Sequence, residues 1–159
     1  MEQKLTAAKA AIVGVVSAVC GVLGWKGIMA LVWILVMGLD YLSGTAAACK
    51  KGDWNSARAR EGLWHKAGML FAVIAAAISD GLMLMACGNI PILDIEWPCL
   101  ILPLVLAWYI LTELGSILEN AVKLGATVPQ WLTKMLKASL TAVDKAGEKN
   151  TPDMEENVK

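Results

Sequence analysis

Charge is scarce in this sequence and balanced in sign. Asp, Glu, Lys and Arg make up 18% of its 159 residues, with fourteen basic side chains against fourteen acidic ones. Without an excess of either sign there is no basic stripe to hold DNA or RNA, so no nucleic-acid partner is expected. The four cysteines, Cys20, Cys49, Cys87 and Cys99, form no Cys-x-x-Cys pair. That spacing signals neither a zinc site nor a disulfide framework, and the thiols read as small apolar fillers. The chain also lacks a Gly-rich phosphate loop, a His-Glu-x-x-His pair and a Ser or Cys nucleophile beside a base. No enzymatic activity, metal or cofactor is therefore expected. The single histidine, His65, stands beside Trp64 and Lys66 and reads as an interfacial side chain rather than a proton relay. No internal repeat is visible, which speaks against a small ion-coupled carrier.

Apolar residues are abundant, at 57%, and the charges are spaced to leave long gaps. About 20 apolar residues at 1.5 Å rise cross a hydrocarbon core of about 30 Å. Between Lys26 and Lys50 the only charge is Asp40, between Lys66 and Asp94 it is Asp80, and from Trp97 to Ile117 it is Glu113. The chain thus reads as an all-α, multi-span membrane protein with three spans and a marginal first helix. Helices are expected over about 7–25, 27–49, 66–87 and 97–120, within a membrane domain of residues 1–125. The first apolar run, Ala10 to Trp25, has only 16 residues. It can cross, lie at the interface or fold as a hairpin arm, and crossing is the preferred reading. A secretory signal fits less well, because no small-residue cleavage site precedes Trp25.

Lysine and arginine resist transfer across the bilayer, so their loops mark the cytoplasmic side. Lys50, Lys51, Arg58, Arg60 and Lys66 form a basic loop, whereas Gly88 to Trp97 holds only Asp94 and Glu96. The first loop is expected inside and the second outside. Lys123, Lys134, Lys137 and Lys145 put the C-terminus inside as well. Trp25, Trp64 and Trp97 fall near span ends, where amphipathic rings favour the headgroup layer. Trp33 and Trp108 lie deeper and read as packing residues. Pro98 is expected in the first turn of the last span, and Pro103 inside it as a bend.

Beyond Gly125, Val128, Trp131, Leu132, Met135, Leu136, Leu140 and Val143 recur at helical spacing after Pro129. Residues 126–146 therefore read as an amphipathic helix for the inner membrane surface or a partner helix. Residues 147–159 are polar and read as a disordered tail.

The chemistry lies in three carboxylates within the spans. An ionisable group at membrane depth costs about 2.5 to 3.5 kcal/mol or more, so its position points to function. Asp40 is ten residues before Lys50 and Glu113 ten before Lys123, roughly 15 Å from the basic ends, whereas Asp80 sits further out. Asp40 and Glu113 are candidates for one polar layer. Ser43 and Gly44 share the Asp40 face, and Ser116 and Asn120 that of Glu113. No cation is expected among them, so two readings stand. Either the carboxylates are neutral and bonded to neighbouring hydroxyls and carbonyls as packing glue, or they contact water in a pore. The depth difference between Asp40 and Asp80 argues against a proteolytic dyad.

Two stretches resemble the phage holin family that includes the clostridial toxin-secretion holins. The first is Leu39-Asp40-Tyr41-Leu42-Ser43-Gly44, followed by Lys50 and Lys66. The second is Glu113-Leu114-Gly115-Ser116-Ile117-Leu118-Glu119-Asn120, then Lys123-Leu124-Gly125 and Val128-Pro129. With Leu23-Gly24-Trp25 the resemblance covers roughly residues 20 to 137. It implies a lysis protein of the host bacterial cytoplasmic membrane that self-associates and opens a lesion for endolysin or another folded protein. Endolysin would be a functional partner without direct contact, and an antiholin a possible second one. The alternative is a non-lethal scaffold or antiholin-like regulator that recruits a partner through the C-terminal helix.

Overall fold

A computed structural model describes residues 2–90 and 97–150. Among the described residues the chain forms five helices and no strand: α1 (Glu2–Leu23), α2 (Trp25–Lys51), α3 (Ser56–Asn89), α4 (Ile101–Lys123) and α5 (Gln130–Lys149). Of these, α2, α3 and α4 are long and apolar enough to cross a membrane. The expected outer loop with Asp94 and Glu96, and residues 151–159 of the expected tail, lie outside the described residues.

Two glycine turns set the order of the first helices. Gly24, at φ 57°, separates α1 from α2, and Gly52, at φ 70°, ends α2. Both occupy the left-handed region that side chains disfavour. At the end of α2 the Asp53 amide donates back to the Ala48 carbonyl at 3.1 Å, closing the last turn. The chain then reverses within four residues, and the Asn55 side chain accepts from the Ala57 amide at 2.8 Å to start α3. This capping bond satisfies one of the amides that a helix start leaves open.

Several expected boundaries shift as a result. The stretch from Lys50 to Lys66 is mostly helix rather than loop, so Arg58, Arg60 and Lys66 stand on α3. A residue such as Asn55 starts a helix wherever good helix formers follow, and Ala57, Ala59 and Glu61 do. The last span begins later than expected, at Ile101. Pro98 therefore precedes the helix, and Pro103 occupies the first turn, where its missing N–H has no partner to lose, so it imposes no interior bend. Residues 147–149 belong to α5 rather than to the tail.

α4 is the central element, packed on α2, α3 and α5, whereas α2 and α3 barely touch and α1 rests on α2. Trp33 from α2, Met69, Val73 and Ala76 from α3, and Leu102 and Leu106 from α4 form the buried core. Trp33 is a packing residue, as expected, at 1% exposure. α2 and α4 run parallel, since their starts are joined by Lys26 Nζ donating to the Cys99 carbonyl at 3.0 Å. Their ends are joined by Lys50 Nζ donating to the Leu124 carbonyl. α3 runs antiparallel to both. Phe71, Ile78 and Leu82 on α3 and Leu35 and Leu42 on α2 are exposed, the surface expected where lipid is the solvent.

Candidate functional site

The polar residues predicted on α2 and α4 converge. Lys66, reaching from α3, places its Nζ 3.0 Å from Asp40 Oδ2 and 2.7 Å from Glu113 Oε2. One ammonium thus bridges two carboxylates on two different helices. The three side chains are 13%, 19% and 6% exposed for Lys66, Asp40 and Glu113, so this is an interior cluster. Asn120 extends it by donating from Nδ2 to Asp40 Oδ1 at 3.2 Å and to Ser43 Oγ at 3.1 Å. Ser43 in turn donates to the Asp40 carbonyl at 3.0 Å, and Lys123 Nζ donates to Asn120 Oδ1 at 3.2 Å. A Cβ placed on Gly44 would lie 3.4 Å from Asn120 Nδ2. The small residue thus lets α2 and α4 approach where their polar groups meet.

This overturns the expectation that no cation lies among the buried carboxylates. Lys66 stands ten residues inside α3, about 15 Å from its start, and its long stem carries the charge between α2 and α4. A sequence reading that ends the basic loop at Lys66 misses it. The signal that would have found it is Asn55, whose cap moves the helix start ten residues earlier. Because Lys66 joins α3 to both other helices, the cluster bridges the gap that the poor contact between α2 and α3 leaves. A cleft of about 370 Å³ opens beside it, lined by Asp40, Lys66, Asn120, Lys51, Lys123 and Trp54.

The other predicted residues are dispersed. Asp80 is buried at the opposite end of the bundle, where Oδ1 accepts from Trp97 Nε1 at 3.0 Å and from the Ile101 amide at 3.2 Å. Its Oδ2 accepts from the Leu102 amide at 2.9 Å. α4 has no capping side chain of its own, so a carboxylate from α3 serves its first two amides and meets the positive end of its dipole. Ser116 points away from the cluster into a cleft between α4 and α5. Arg60 and Lys51 are exposed. Pro129 precedes α5 in an extended conformation. Val128, Leu132 and Leu136 are half-buried on the α4 side, and Trp131 and Met135 are exposed at 62% and 60%. A contact that the sequence did not disclose holds α5 in place: Trp108 Nε1 donates to Asp144 Oδ1 at 2.8 Å.

The polar residues of α2 and α4 that converge in this cluster are also those that carry the family resemblance. The sequence profile of the bacteriophage holin family matches residues 17–140, which includes every residue of the ion-pair cluster. An uncharacterised protein of Halalkalibacterium halodurans is 31% identical over 112 residues, covering 70% of this chain and 77% of that protein. No solved structure matches the chain. With the family match spanning most of the sequence and three helices of membrane-spanning character beneath it, the chain belongs to the bacteriophage holin family, as a holin-type membrane protein.

Proposed function

We propose that the protein self-assembles in the cytoplasmic membrane of a bacterial host into a lesion that lets endolysin, or another folded protein, pass and so times lysis. The observation that carries this reading is how little of the apolar surface one copy covers. Only 17 to 22% of the residues in the three spans are buried within the molecule. The remaining surface has two possible neighbours, lipid and other copies, and close copy-to-copy packing needs no new chemistry. The Asp40, Lys66, Glu113 and Asn120 cluster holds each protomer together during that process, because each of these side chains has a partner within its own chain. Lys50, Lys51 and Lys123 share one end of the bundle, which supports a cytoplasmic C-terminus.

The scaffold alternative needs the apolar seam of α5 free for a partner. That seam is turned onto α4 in this chain, which favours the lesion. Inducible expression in bacteria carrying a cytoplasmic reporter enzyme tests it. Membrane potential should hold through a delay, then collapse as the reporter is released, and Asp40→Asn with Glu113→Gln should change the delay. High expression with potential and reporter retention unchanged would overturn the reading.

A further inference from the structure

α4 carries a second polar stripe that the ion-pair cluster leaves unused. Thr112, Ser116 and Glu119 follow at spacings of four and three residues, so they share one helix face. Lys123, four residues on, ends that face, and its Nζ reaches the cluster's Asn120. At 100° per residue that face lies about a quarter-turn from Glu113 and Asn120. α5 lies over this side. Between the two helices is a cleft of about 600 Å³ lined by Thr112, Ser116, Glu119, Leu136, Lys137 and Leu140.

The register of the two helices decides what surrounds them. Trp108 stands fifteen residues before Lys123, and its partner Asp144 fourteen residues after Gln130. Both separations are about 21 to 22 Å along the helix, so α5 runs back beside α4 through most of the span. Yet α5 is not among the helices apolar enough to cross a membrane. Its Lys134, Lys137, Asp144 and Lys145 are all exposed. Asp144 and Lys137 flank the seam, one bonded to Trp108 and the other lining the cleft. Lys134 and Lys145 fall opposite Leu132, Leu136 and Leu140 by helical spacing, on the side away from α4. Hydrocarbon around α5 would have to accept these two lysines, with Lys137 and Asp144 at the flanks, which is unfavourable. Water accepts them at no such cost. Leu35 on α2 and Phe71 on α3 are large apolar side chains exposed on the membrane-spanning helices.

We infer that the side of α4 covered by α5 faces water within the membrane. The Thr112, Ser116 and Glu119 stripe, with the charged flank of α5, forms the wet wall of the assembly. The inference rests on the lesion reading for its purpose, but the wetting itself is measurable without any lysis. Polar backbone-paired helices with one hydrated side are the arrangement by which a lumen is lined.

The test uses the full chain with its four cysteines replaced by serine, reconstituted in phospholipid vesicles. Spin labels are placed through Thr112→Cys, Ser116→Cys, Leu35→Cys and Phe71→Cys, of which Ser116→Cys is nearly isosteric and guards against misfolding. Relaxation by a water-soluble nickel chelate, relative to oxygen, should be roughly tenfold greater at the two stripe positions than at the two lipid-facing ones. Equal values at all four would overturn the wet wall. Reporter release in cells is measured in parallel. A hydrated stripe without release upholds the wall and overturns the lesion, whereas release with a dry stripe upholds the lesion and overturns the wall.

Discussion

Lys66 illustrates how much one side chain can decide in a bundle with a small core. Its single positive charge bridges two carboxyl groups that lie 6% and 19% exposed. Removing one partner of a buried ionic group leaves uncompensated charge, at a cost of about 3 to 5 kcal/mol. Lys66→Ala should therefore destabilise the purified protein by about that amount, read as a lowered midpoint in denaturant unfolding from detergent micelles. Adding Asp40→Asn and Glu113→Gln to Lys66→Met should restore most of the loss, because the remaining groups need only hydrogen bonds. A triple variant as unstable as Lys66→Ala would show that the charges themselves are not at issue. The shared depth of Asp40 and Glu113 was legible by counting residues back from Lys50 and Lys123. Their partner was not, because Arg58, Arg60 and Glu61 make residues 50–66 look like a polar loop. The local cap at Asn55 outweighs that polarity and carries the helix through it.

At the scale of elements, α4 is held by its neighbours at both ends. Asp80 serves its first amides and Lys50 the carbonyl of Leu124 that caps its end. Neither interaction is visible as a local motif, since the usual capping signal sits on the same strand of sequence as the helix it caps. What the sequence does show is the want of one: Cys99 and Leu100 offer α4 no capping side chain. Asp80→Ala should leave three donors without their acceptor, at a cost of about 1 to 3 kcal/mol. It should also raise hydrogen exchange at the Ile101 and Leu102 amides, while Asp80→Asn, which keeps an acceptor, should do less. Unchanged exchange at these two amides in Asp80→Ala would refute the cap. At the other end Gly125 has φ 96°, and a Cβ there would lie 3.2 Å from Lys50 Nζ. The turn into α5 therefore needs glycine for its backbone and for the lysine that seals α4. The Gly125 turn and the amphipathic pattern after Pro129 were both readable; the face of α4 on which α5 lands was not, because it depends on Trp108 meeting Asp144.

For the whole molecule, the question is when α5 lies on α4. In a lone copy surrounded by hydrocarbon, Lys134 and Lys145 on the outer side of α5 would each cost about 2.5 to 3.5 kcal/mol at depth. A single hydrogen bond from Trp108 to Asp144 returns only about 0.5 to 3 kcal/mol. Docking is therefore unfavourable in lipid and favourable beside water, so it is linked to assembly: the state that wets α4 gains the packing of α5, and the dispersed state does not. Linkage of this kind shifts the protein concentration at which copies associate, by a factor of ten for each 1.4 kcal/mol. Ending the chain after Gly125 should consequently delay reporter release at equal expression rather than abolish it, since α2, α3, α4 and the Lys66 cluster remain. Time to release, measured against membrane protein level, reads the effect. An unchanged onset would mean that α5 contributes nothing to assembly. An earlier onset would mean that it restrains the dispersed state, reversing the sign of the coupling argued from its charges.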